Sequence, residues 1–212
     1  MTRRSSLKTS VSAAALLGLS LAVAAAIAPA AADKVGVAAA VKPDAFSTLA
    51  GKPQSQLNIG KSIFFDERIK TTTSGLVQVL LVDGSTFTVG PDSDLVINKF
   101  VYDPSSGTGQ IAASFSKGVM RFVGGKISKS DNAVSIQTPA GAMAVRGCII
   151  LTQVKPDTQG VDAILVFGKY MKLGGQYAYE NGTLISASPN GPSEIRKATP
   201  SDFGHMLAGL TP

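Results

Sequence analysis

Between Leu57 and Gly147 the chain alternates short apolar runs with turn pairs, and the run lengths suit strands better than helices. Leu76 to Val82 is apolar apart from Gln78, the pattern of a strand covered on both faces. Asp83-Gly84 follows, then Thr86-Phe87-Thr88-Val89, so a tight hairpin turn is expected there. Gly90-Pro91, Asp103-Pro104, Gly124-Gly125 and Thr138-Pro139 mark further turns. Strand candidates return about every 8–12 residues, the spacing of an all-β sandwich, barrel or solenoid. No helical stripe and no internal repeat interrupts this stretch.

After Cys148, Ile149–Val154 and Val161–Phe167 read as two more strands. Tyr177-Ala178-Tyr179 and Thr183-Leu184-Ile185 flank Asn181-Gly182, which predicts a C-terminal β-hairpin with a primed turn. Near the end, Thr199 is placed to cap a short helix, with Pro200 in its first turn and Asp202 completing a capping box. Phe203, Met206, Leu207 and Leu210 fall at helical spacing, a face expected to dock on the sheet. Lys34 to Lys52 is rich in Ala and Pro with little periodicity and reads as a linker or loose arm.

The first residues change the picture of the charge. Arg3, Arg4 and Lys8 precede an uncharged Ala- and Leu-rich run, and Ala30-Ala31-Ala32 offers small residues at a cleavage site. This is the pattern of a secretory signal peptide cut after Ala32, and its Arg pair is compatible with the twin-arginine route. The full chain carries a formal charge of +6. Three basic residues and no acids lie before Asp33, so removing the signal leaves +3. The remaining Lys and Arg are scattered among acids, which argues against a nucleic-acid surface. The expected domains are a signal at 1–32, a linker at 33–56, a β domain at 57–154, a strand extension at 155–186, and a loop with short helix at 187–212. A periplasmic or secreted location follows, with no membrane span after cleavage.

Chemistry is sparse. The one histidine, His205, sits in the terminal helix without a nearby second ligand or nucleophile. Cys148 cannot form an intramolecular disulfide because it has no partner. It follows Arg146-Gly147, and a neighbouring cation can activate a thiol, but the simpler reading is a small apolar residue at a strand start. Zinc lacks a Cys or His cluster. Asp83, Asp92 and Asp94 could at most hold a weak Ca²⁺ site, and Asp66-Glu67 with Asp131 lack any fixed spacing for glycoside hydrolysis. The Gly-rich pieces at 107–109 and 124–126 do not open helices, so they are no phosphate cradle. No catalytic residue, cofactor or metal is assigned.

Several of these pieces together resemble the FecR-type periplasmic domain. They are Ile59-Gly60, Phe64-Phe65, Arg68-Ile69, Thr71 and Gly75, then Asp83-Gly84-Ser85 and Gly90-Pro91-x-Ser93. Phe100 to Pro104 and Lys117-Gly118-x-x-Arg121-Phe122 continue the match, and Thr138-Pro139 leading to Arg146-Gly147 closes it. The resemblance spans Leu57 to Val154 and implies an irregular right-handed β-solenoid, with a β-sandwich as the alternative. It makes Asp83, Gly84, Ser85, Gly90, Pro91, Ser93, Thr138, Pro139, Arg146 and Gly147 structural markers. Gly141, Ala142 and Met143 depart from the bulkier residues usual there, so looser packing is expected at that point.

In the family's regulators the module relays a signal from an outer-membrane transporter to a cytoplasmic sigma-factor-binding domain. Here a cleavable signal stands in place of that cytoplasmic domain. The leading expectation is therefore a non-enzymatic exported scaffold that binds another envelope protein or a glycan. The alternative is a periplasmic component of an anti-sigma or transporter regulatory system.

Overall fold

The computed structural model describes Met1 and residues 33–211. The expected signal peptide and its cleavage site lie outside the described residues. Among the described residues the fold is all-β apart from one short helix and one 3-10 turn. Strands run in chain order from β1 (Lys34–Lys42), β2 (Ala45–Thr48), β3 (Ser55–Gln56) and β4 (Ser62–Phe64) to β5 (Arg68–Thr71), β6 (Leu76–Leu81) and β7 (Thr86–Val89). Then come β8 (Asp94–Asp103), β9 (Thr108–Val123), β10 (Val134–Thr138), β11 (Gly141–Arg146) and β12 (Ile149–Val154). The last are β13 (Val161–Phe167), β14 (Tyr170–Leu173), β15 (Gln176–Ala178), β16 (Thr183–Ala187) and β17 (Glu194–Lys197), followed by helix α1 (Pro200–Ala208).

The pairings build two sheets. The first is ordered β4-β1-β6-β7-β9-β12-β13-β16-β17. The second is ordered β3-β2-β5-β8-β9-β10-β11-β14-β15. All these pairings are antiparallel except β9–β10. Strand β9 belongs to both sheets: its first half pairs with β8 and β10, its second with β7 and β12. The changeover falls at Gly118, whose φ is +92°. A Cβ there would lie 2.0 Å from Ser93 Oγ, so both the backbone angle and the close approach demand glycine. Strands that switch sheets through such an irregularity make the corners of two-layer β folds.

Alternation along each strand sends one side chain in two into a shared core. Phe87 and Phe122 are cross-strand partners with ring centroids 4.8 Å apart, and Phe115, Ile136, Met143, Ile150 and Leu165 are fully enclosed with them. Met143 Sδ lies 4.0 Å from Thr152 Oγ1 across the sheets. The substituted stretch is thus well packed: Met143 fills the core while Ala142 and Ala144 face outward.

Beyond the core, Val119, Leu151, Ile164 and Leu184 form a smaller apolar cluster with Met206 and Leu210. Helix α1 covers them, which explains why β12, β13 and β16 read apolar on both faces. The capping box is present, with Thr199 and Asp202 bonding reciprocally. Leu207, in contrast, is 40% exposed.

Three expectations need correction. Residues 33–56 are no linker: β1 pairs with β4 and β6 and buries Val35 and Ala38, while β2 buries Ala45. Small side chains permit close packing there but hide the pattern. The strands around Asn181-Gly182 form no hairpin, because β15 pairs with β14 in one sheet and β16 with β13 and β17 in the other. Finally, β6 is covered on both faces only at its start: Leu76 is 2% exposed, but Leu80 on the same face is 40% exposed and Val82, just past the strand, 57%.

Candidate functional site

Apart from Thr138-Pro139, which closes the β10–β11 turn, the marker residues gather around two buried polar knots. In the first, Asp83 lies in the turn between β6 and β7 and is almost wholly buried with Ser85. One Asp83 oxygen accepts the Ser85 amide at 2.9 Å, and the other accepts the Ser85 hydroxyl at 2.7 Å and the Ile127 amide at 3.2 Å. Ser85 Oγ in turn accepts the Gly125 amide at 2.9 Å. A buried carboxylate is tolerable because these donors replace water. Gly125 must lack a side chain, because a Cβ would lie 2.3 Å from the Ser85 amide nitrogen. The knot thereby fixes the 3-10 turn Ile127–Lys129, which lies on the return from β9 to β10.

The closing motif grips the same turn from the other side. Arg146 donates to Lys129 O at 3.1 Å and to Asp131 at 2.6 Å, and the Gly147 amide donates to Ser128 O at 2.7 Å. Thr138 Oγ1 donates to Gly141 O at 2.6 Å, closing the β10–β11 turn over Pro139-Ala140. Asp83-Gly84-Ser85 and Arg146-Gly147 therefore converge on one short turn, although distant in the chain.

The second knot surrounds the sheet changeover. Thr71 Oγ1 donates to Gly90 O at 2.6 Å and accepts the Ser93 amide at 2.9 Å. Ser93 Oγ accepts the Val119 amide at 3.0 Å and lies 2.9 Å from Pro91 O. On the surface beside it, Arg68 makes a two-pronged bond to Asp94, which raises the guanidinium pKa.

Beside the first knot lies a groove of about 490 Å³, lined in part by Lys129, Arg146, Phe167 and Lys169. Arg146 and Tyr170 are cross-strand partners of β11 and β14, so the groove continues onto the outer face of the second sheet. There Tyr170 stands 6.3 Å, centroid to centroid, from both Tyr177 and Tyr179. Tyr177 and Tyr179 stack at 5.8 Å with ring planes 5° apart. Lys172 Nζ sits 4.9 Å from the Tyr177 ring centre, within cation–π range. This groove and tyrosine cluster went unrecognised in the sequence. Their signal was the i, i+2 spacing of Tyr177 and Tyr179.

The residues considered for chemistry are otherwise engaged. Cys148 is buried, and desolvation pushes its thiol up to about 12. His205 is exposed on α1. Asp94 pairs with Arg68, Asp92 lies 4.0 Å from Lys117, Glu67 accepts the Phe64 amide at 2.9 Å and Asp131 pairs with Arg146. Among the described residues no group of three or more His, Cys, Asp or Glu could hold a metal, and no helix is long and apolar enough to cross a membrane.

Comparison with known proteins bears on the whole arrangement. No curated protein matches the chain. Among solved structures, a "putative anti-sigma factor" from Parabacteroides distasonis ATCC 8503, solved at 2.50 Å resolution, is similar with a TM-score of 0.50 and 14% identity. The match covers 67% of this chain and 64% of that one. A second structure of the same description, at 1.65 Å resolution, has a TM-score of 0.47 and 13% identity over 67% and 65% of the two chains. The first likeness supports the fold; this chain aligns with less than two thirds of either structure. The family model for "FecR protein" matches residues 67–169, from the start of β5 through β13, and takes in both knots and the closing motif. By that match residues 67–169 are a FecR domain.

Proposed function

We propose that this chain is a periplasmic signalling component that works by binding a separate membrane protein, within an anti-sigma or transporter regulatory system. The family match over residues 67–169 carries this reading. It favours a regulatory role over a passive envelope scaffold. The likeness to a structure described as an anti-sigma factor accords with it at the level of fold. In this reading residues 1–32 are an export signal, so any contact with a sigma factor is indirect and passes through the membrane partner.

We also read the protein as non-enzymatic and free of cofactors. The support is positive: the thiol is desolvated, and the carboxylates weighed for chemistry hold amides, hydroxyls or guanidinium groups. From β10 onward successive strand pairs alternate between the two sheets, and β9 returns to the parallel β10 through the 3-10 turn. A parallel return of this kind is overwhelmingly right-handed, which supports an irregular right-handed solenoid as the finer description.

Deleting the gene and restoring it in trans, with transcript sequencing under iron limitation and envelope stress, tests the reading. A set of transcripts should shift on deletion and return on complementation. Unchanged transcripts in every condition would overturn it.

A further inference from the structure

We infer that the tyrosine cluster and the adjoining groove form one docking surface for a carboxylate-rich segment of a partner protein. The inference rests on the signalling reading in that both require protein contact. Its geometry is independent of that reading.

The surface has the composition of a protein interface. Phe167, Tyr177 and Tyr179 are 60%, 43% and 65% exposed, and Tyr170 joins them. Tyrosine supplies a large contact area at low entropic cost, and aromatic residues with Arg dominate binding energy at interfaces. Cations surround these rings. Lys129, Lys169 and Lys172 make no ion pair among the described residues, and Arg146 has Asp131 alone. The Glu180 carboxylate near the cluster is engaged by Lys197 at 3.2 Å. Unpaired lysines around an aromatic centre steer and orient an acidic partner.

A sugar fits less well. Ring stacking on a sugar needs an open aromatic face. Tyr177, at the centre of the cluster, has Tyr179 stacked on it and Lys172 Nζ 4.9 Å from its ring centre, so a sugar stacking there would compete with contacts already made. The groove's glycine amides are occupied too: Gly124 donates to Cys148 O, Gly147 to Ser128 O and Gly168 to Asn181 Oδ1. What remains for a ligand is side-chain positive charge and aromatic area, which an extended acidic peptide uses together.

The test uses the purified exported protein with three probes: a Glu-rich peptide containing tyrosine, the same peptide with Gln for Glu, and polygalacturonate. A photo-reactive phenylalanine analogue replaces Phe167 or Tyr179, and Ile59, 72% exposed, in the control. The acidic peptide should crosslink at Phe167 and Tyr179 and not at Ile59. Its affinity should fall on the order of tenfold or more in the double variant Lys169→Glu and Lys172→Glu, with the thermal midpoint lowered by no more than in Lys172→Gln, which loses the same contact to Tyr177. Tyr179→Ala should weaken it as well. Equal binding of the Gln peptide, equal crosslinking at Ile59, no loss in the double variant, or binding of polygalacturonate in place of the peptide would each overturn the inference. If deletion alters transcription and the double variant still complements fully, the surface is wrong and the signalling reading stands. If deletion changes nothing, the peptide measurements still decide the surface.

Discussion

The Asp83 carboxylate reaches the backbone amide of Ile127, 44 residues on, at 3.2 Å. Through it a β-hairpin turn holds the return between β9 and β10. The turn is more than a local reversal of the chain, because it is a tether between two parts of the sequence.

Removing that tether should cost more than losing a surface turn. Asp83→Ala leaves the buried amides of Ser85 and Ile127 without acceptors, and an expected loss is about 3 kcal/mol. Urea unfolding measures it. A loss below about 1 kcal/mol would mean water or another group replaces the carboxylate.

Gly118→Ala tests the sheet changeover against Gly107→Ala. Both glycines have positive φ, at +92° and +71°, but only Gly118 has a neighbour in the way. The Gly107 change should cost about 1 kcal/mol for the backbone angle alone. The Gly118 change should cost roughly 2 kcal/mol more, because Ser93 must be displaced. Equal midpoints in parallel denaturation curves would show that the close approach relaxes freely.

The cap of α1 should respond to acid. Arg196, together with the Thr199 amide and hydroxyl, holds the Asp202 carboxyl well below the usual carboxylate range. A depressed folded pKa gives stability that is present above the unfolded pKa of 3.8 and lost as pH falls through the folded value. Protection of the α1 amides against hydrogen exchange, taken relative to the intrinsic rate at each pH, should therefore fall below pH 3.8, ahead of the core strands. Asp202→Asn should produce the same loosening at neutral pH. Acid-insensitive exchange that matches the core would contradict the cap's role.

Cys148 should be inert in the folded protein. Its ordinary value is 9.0 and burial pushes it up to about 12. A raised folded pKa means the unfolded thiol ionises first, so this contribution is fully present below 9.0 and is lost as pH rises towards about 12. Iodoacetamide at pH 8 should label the thiol only after unfolding. Fast labelling of the native protein would place it on the surface instead.

The sequence was most readable where local signals agree with the fold. Asp83-Gly84 sits between β6 and β7 as its turn chemistry demands, and Thr199, Pro200 and Asp202 start α1 as their spacing predicts. The failures occur where a distant partner decides. Thr183 pairs with Leu165 and Lys197, and no local turn preference at Asn181-Gly182 can outweigh those ladders. Val35 and Ala38 are core residues because β6 lies beside them, while their own neighbours are mostly alanine. For the candidate surface, Tyr177 and Tyr179 were visible as a pair. Tyr170 and Arg146 join them only through the β11–β14 register.

Strand β9 carries one further consequence. Among the described residues it is the one strand common to both sheets. A force applied to one layer passes to the other along its backbone as well as through the loops that cross between the sheets, and β9 is the stiffest of these links because it is hydrogen-bonded on both sides of the changeover, like the spine of a book. The layers cannot slide past one another without breaking that strand's ladders, so the domain should yield in a single step when pulled. For the same reason, splitting the chain inside β9 should give two pieces that each lack a finished edge and hold shape only when recombined.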